Sequence, residues 1–122
     1  MIDKIIELVQ NSDIHPANKY YWQYQYELGK DSIIPYLEKY SCFKKGYRVC
    51  EIGSAEGGVL HSMLASGAAY GLGTDIAESR IIAGEAISKV AELNVEYSLH
   101  NILSEPTKEE WRNSFDIAML RD

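Results

Sequence analysis

From residue 47 onward, short apolar runs alternate with segments of helical period, which predicts a parallel α/β sheet with helices on both faces. The first apolar run leads straight into a glycine-rich turn, and the second ends on an acidic residue. Residues 1–46 show no strand pattern and read as a helical segment ahead of an α/β unit over 47–122.

Ile2, Ile5, Ile6 and Val9 share one helical face, so a short amphipathic helix opens the chain. Residues 11–13 (NSD) and His15-Pro16 break it. Residues 18–28 (NKYYWQYQYEL) hold Tyr20, Tyr21, Trp22, Tyr24 and Tyr26, with Tyr20, Tyr24 and Leu28 on one helical face. Packing against the sheet's outer helices is the plainer expectation for these rings, and a lid over a ligand the sharper one. Gly29 reads as a break, with Asp31 as N-cap of a helix to Tyr40 that tolerates Pro35 in its first turn.

Residues 47–52 (YRVCEI) predict the first strand. Val59, Leu60, Met63 and Leu64 give the next helix, 57–66, its buried stripe, and Gly67 ends it. Residues 69–74 (AYGLGT) predict a second strand, and Ile82, Ala86, Val90 and Leu93 line one face of a helix over 77–93. Val95, Tyr97 and Leu99 alternate as a third strand. Thr107 to Glu110 reads as a capping box opening a short helix through Arg112, and residues 115–120 (FDIAML) as a fourth strand apolar enough for burial on both faces.

The length suits one domain with a core of its own. With 18 acidic and 12 basic residues the net charge is −6, and Lys and Arg form no stripe, so no nucleic-acid partner is expected. No run approaches the roughly 18 apolar residues of a membrane span. Asp3, Lys4 and Glu7 interrupt any signal-peptide pattern. Cys42 and Cys50 have neither metal-ligand nor disulfide spacing. A cytoplasmic, metal-free protein with a small-molecule partner is the expectation.

The chemistry concentrates at Glu51-Ile-Gly53-Ser54-Ala55-Glu-Gly57-Gly58, between the first strand and its helix. Small residues let the backbone approach a ligand, and the helix N-terminus is expected to offer free N–H groups. Gly53, Ala55 and Gly58 loosely fit a dinucleotide fingerprint, which keeps an NAD-binding oxidoreductase domain as an alternative. Glu51 argues against it, because a carboxylate suits a cationic ligand better than a pyrophosphate. Asp75 ends the second strand, where an acidic group accepts ribose hydroxyls or caps the next helix. Asn101 reads equally as a turn residue or a ligand contact. For His61 and His100 a structural or surface role is expected ahead of a catalytic one.

On these motifs, residues 47–122 resemble the N-terminal, cofactor-binding half of the class I (Rossmann-like) S-adenosylmethionine-dependent methyltransferases. Residues 48–58 resemble the family's glycine-rich first motif, with Ala55 where glycine is commoner. Residues 71–76 (GLGTDI) resemble the second, and Ser98 to Ile102 stand where the family has Gly-Asp and an apolar residue, Asn101 departing from Asp. Residues 115–122 resemble the fourth. The resemblance implies strand order 3-2-1-4 and S-adenosyl-L-methionine as cofactor. It implies that Glu51 favours the cationic methionyl part, that Gly53, Ser54, Ala55 and Gly57 allow the close backbone approach, that Arg121 belongs to the motif near the methionine end, that Asp75 holds the ribose, and that Ile76, Asn101 and Ile102 meet the adenine. It also implies methyl transfer to a small-molecule acceptor, with alignment as the main catalytic contribution and any catalytic base on strands that are not legible here. The family's sheet has seven strands and four are legible here, so a truncated fold is expected. The chain by itself is then expected to be inactive, and strand 115–120 to be an unprotected edge that pairs with a second copy. A non-catalytic binding module is the remaining alternative.

Overall fold

The structure, a computed structural model, describes residues 3–120; Ile2 and Arg121 of the expectations above lie outside the described residues. Asp3 caps the first helix, α1 (Lys4–Gln10), by accepting the Ile5 and Ile6 N–H groups at 2.9 and 3.2 Å. Helix α2 (Pro16–Leu28) starts on Pro16, with His15 Nδ1 accepting the Ala17 N–H at 3.1 Å.

The break expected at Gly29 does not occur, and Asp31 caps nothing. Gly29–Ile33 form a π-helical turn that carries α2 into α3 (Ile34–Lys39). Gly29 has helical angles (φ −62, ψ −50), and a Cβ there would overlap the Ser62 hydroxyl. This glycine therefore marks a helix crossing rather than a helix end. Within α2 the buried rings are Trp22 and Tyr26, stacked at 4.9 Å. The stripe read from spacing, Tyr20 and Tyr24, faces solvent.

Strands β1 (Arg48–Ile52), β2 (Tyr70–Asp75), β3 (Val95–Leu99) and β4 (Ile117–Leu120) form one parallel sheet in the order β3-β2-β1-β4. The register pairs Ile52 with Thr74 and Leu120, and Asp75 with Leu99, so all four C-terminal ends meet at one edge. Helices α4 (Gly58–Ala65) and α5 (Glu78–Ala91) follow β1 and β2. The α-helices cover one of the two faces that the sequence pattern assigns to helices, over a core of Val49, Leu60, Met63, Ile34, Phe43 and Val95. A second cluster, Val9, Trp22, Tyr26, Ile87 and Ala91, joins α1 and α2 to α5. The β3–β4 connection crosses the other face and carries only a 3-10 turn, Glu109–Trp111.

Three local expectations are corrected here. The buried face of α5 is Ile81, Gly84, Ile87, Ser88 and Ala91; Ile82 is 57% exposed and Ala86 exposed too. Its apolar residues form two neighbouring stripes, and the one with small residues wins because it admits the Tyr97 ring beside Gly84. The capping box at Thr107 does not form: Lys108 is the N-cap, and its side chain caps no helix N–H but reaches the Ser98 hydroxyl at 3.4 Å. Packing fixes this segment instead, with Trp111 edge-on to His100 at 5.0 Å. Finally, β4 is not buried on both faces, since Ala118 and Leu120 are exposed.

Candidate functional site

The loop between β1 and α4 is shaped by three left-handed residues, Gly53 (φ 74), Ala55 (φ 52) and Gly57 (φ 85). Ala55 holds this conformation against its Cβ, at about 1–2 kcal/mol. The Gly53 and Ser54 N–H groups both donate to the Thr74 carbonyl, at 2.8 and 2.9 Å, which ties the loop to the end of β2.

Asp75 completes that tie. Its Oδ2 accepts the Ala55 N–H at 2.8 Å and its Oδ1 the Ala77 N–H at 2.9 Å. The carboxylate is thereby oriented by two backbone donors, and each oxygen keeps further acceptor capacity. Ala77 rather than Asp75 is the N-cap of α5.

Asp75 is half-buried and flanked in sequence by Ile76, 70% exposed. On the loop after β3, Ile102 is 51% exposed. Asn101 is a turn residue: its Oδ1 accepts the Leu103 N–H at 2.9 Å, and its carbonyl accepts from Ser104 and Glu105. Gly53, Asp75, Ile76, Asn101 and Ile102 thus follow three adjacent strands at one edge of the sheet. Ser54, Ala55 and Gly57 are buried behind Gly53, which is exposed, and Glu51 lies within β1 with no exposed surface.

The free helix N-terminus expected after the loop is absent. A Cβ on Gly58 would stand 2.5 Å from the Trp22 carbonyl oxygen and 2.8 Å from the Tyr26 nitrogen, so α2 lies directly on the start of α4. The Gly58 N–H points at Gln25 Oε1, 3.4 Å away.

Sequence reasoning missed Glu56, 2% exposed, whose Oε2 accepts from Asn18 Nδ2 at 2.9 Å. Arg80 lies 3.9 Å from Oε1 with its guanidinium 4.8 Å from the Tyr21 ring centre, so α2, α5 and the loop are clasped together. It also missed a buried relay. Trp22 Nε1 donates to His61 Nδ1 at 2.9 Å, leaving Nε2–H for Ser88 Oγ at 2.7 Å, and Ser88 donates to the Gly84 carbonyl at 3.0 Å. The Tyr97 hydroxyl, 3.4 Å from His61 Nε2, donates to the Glu56 carbonyl at 2.9 Å. Burial pushes the His61 pKa down to about 3, so the ring is neutral and structural. His100 is structural as well, its Nε2 donating to the Pro106 carbonyl at 3.1 Å. No local pattern announces these groups, because their partners are far apart in the chain.

A cleft of about 280 Å³ opens on the sheet face opposite the α-helices, between Cys50, Leu72, Thr74, Trp111 and Ala118, and reaches the strand ends at Ile52 and Ile102. A more open groove of about 550 Å³ between α1 and α2 includes Lys19, Tyr20 and Tyr24 but none of the strand-end loops. Among the described residues no helix is long and apolar enough to cross a membrane.

No protein-family model and no curated protein sequence matches the chain. Solved structures do match its fold. A putative sarcosine dimethylglycine methyltransferase from Galdieria sulphuraria superposes with a TM-score of 0.65, at 17% identity over 76% of this chain and 34% of that one. Coclaurine N-methyltransferase bound to N-methylheliamine and SAH gives 0.62, at 15% identity over 75% and 26%. The cyclase SpnF gives 0.59, at 18% identity over 72% and 32%. The chain spans about a quarter to a third of the length of such structures. It has the Rossmann-like fold of the class I methyltransferases, with the sheet order 3-2-1-4 expected for their N-terminal half.

Proposed function

We propose that a chain with this fold is the cofactor-binding portion of an S-adenosylmethionine-dependent methyltransferase, with residues 47–122 as the binding unit and 1–46 as a helical layer behind it. The observation that carries the reading is the Asp75 carboxylate, held by the Ala55 and Ala77 N–H groups with acceptor capacity to spare beside the exposed Gly53. A ribose diol supplies two donors to such a carboxylate. Ile76 and Ile102 offer apolar surface for the adenine, with the Asn101 amide at its edge. Glu51 would favour the cationic methionyl end and the backbone from Gly53 through Ser54 and Ala55 to Gly57 the close approach of the ligand; Arg121, outside the described residues, is assigned to the same end by the resemblance alone.

In-line attack on a sulfonium methyl needs alignment and exclusion of water more than acid–base help, so proximity is the main catalytic contribution of such a site. The acidic net charge and the likeness to coclaurine N-methyltransferase support a small-molecule acceptor. The likeness to SpnF, a cyclase by its name, favours one second reading: a binding unit of this fold working without methyl transfer. The NAD reading loses support because α2 covers the helix N-terminus that a pyrophosphate needs.

Titration calorimetry tests the proposal. S-adenosylhomocysteine is expected to bind and NAD not to; tighter binding of NAD would overturn it. The edge strand β4 is part of the same proposal, as a pairing surface for a second copy, since Leu120 is 75% exposed and among the described residues only β1 flanks the strand. Sedimentation at micromolar concentration is expected to show a dimer that Ala118→Pro dissociates; a monomer in both forms would contradict it.

A further inference from the structure

We infer that Tyr97, on β3, is a positioning residue for the strand-end site, an inference that rests on the ligand reading above. Tyr97 contacts none of the residues proposed to meet the ligand's polar groups through a hydrogen bond of its own. Its hydroxyl donates instead to the carbonyl of Glu56, at 2.9 Å. That carbonyl belongs to the residue between Ala55 and Gly57, both held at positive φ. A loop with such angles relaxes unless something external holds it. Beyond the tie to Thr74 and the clasp on the Glu56 side chain, two contacts hold this stretch: Asp75 takes the Ala55 N–H, and Tyr97 takes the Glu56 carbonyl.

The tyrosine is itself well fixed. Its ring fills the space that a side chain on Gly57 or Gly84 would need, so β3, α5 and the loop close around it. The neutral His61 ring presents Nε2–H rather than a lone pair toward the hydroxyl, because Trp22 Nε1, a donor only, occupies Nδ1. The Tyr97 proton is therefore directed to the Glu56 carbonyl. Holding that peptide keeps the Ala55 N–H on Asp75, and so keeps the carboxylate turned for a diol.

The test compares Tyr97→Phe with Ser62→Ala, which removes another buried hydroxyl, one that donates to the Val59 carbonyl and touches neither Tyr97 nor the loop. Tyr97→Phe is expected to weaken S-adenosylhomocysteine binding about tenfold, the worth of one neutral hydrogen bond, and to speed hydrogen exchange at the Ala55 and Gly57 amides. Ser62→Ala is expected to lower thermal stability while leaving affinity and those two amides unchanged. Unchanged affinity in Tyr97→Phe, or equal losses in both variants, would overturn the inference. Should the unaltered protein bind no S-adenosylhomocysteine, the ligand reading fails separately. The exchange rates then decide: unaltered Ala55 exchange in Tyr97→Phe overturns the positioning role, and faster exchange supports it.

Discussion

Taking the chain from pH 7 to pH 4 is expected to remove about 3 kcal/mol of folding stability through His61 alone. Burial holds this imidazole neutral in the fold, its pKa pushed from 6.5 down to about 3. The unfolded chain therefore takes up a proton near pH 6.5 that the folded chain refuses. Stability from this residue is complete above that value and declines as the pH falls toward 3, by up to about 1.4 kcal/mol per unit. Other groups titrate over the same range, so the informative comparison is with His61→Leu. That variant is expected to be less stable at pH 7, because the Trp22 indole N–H loses its acceptor. Its denaturation free energy should then fall much less steeply between pH 6 and pH 4. Parallel pH profiles for the two proteins would show that the ring is not neutral in the fold.

Asp75→Ala is expected to weaken S-adenosylhomocysteine binding by roughly a hundredfold, since two hydrogen bonds to a charged acceptor are lost together. The loss has a second source, because the same carboxylate anchors the Ala55 N–H and so the glycine-rich loop. Asn101→Ala, which removes a neutral amide already engaged in a turn, should cost only a few-fold. Calorimetry on both variants, with circular dichroism to confirm folding, checks the ranking. Equal losses would mean that Asp75 does not meet the ribose.

Much of the fold is legible in the sequence, and the reason is local. The strands of 47–120 are short apolar runs, and their turn chemistry sits in neighbouring residues. Gly53, Gly57 and Asp75 could therefore be placed from their own surroundings. The errors arose where a distant partner decides. Gly29 has the composition of a helix end, yet Ser62 on another helix makes it a crossing point. The inward face of α5 depends on the Tyr97 ring, which no periodicity within the helix contains. Glu56 looks like a solvated loop acid until Asn18 and Arg80 close over it. The cover that α2 places on the start of α4 is likewise a tertiary event, and it removes the anion site that the glycine pattern alone suggested.

The central claim is that the loops after β1, β2 and β3 form one ligand site. A nitrogen–proton NMR titration of the 122-residue chain with S-adenosylhomocysteine tests it most directly. The amides of Gly53, Asp75, Ile76, Asn101 and Ile102 are expected to shift together and saturably, while those of Tyr20 and Tyr24 in the α1–α2 groove stay in place. Shifts confined to that groove, or no shifts at any concentration, would contradict it.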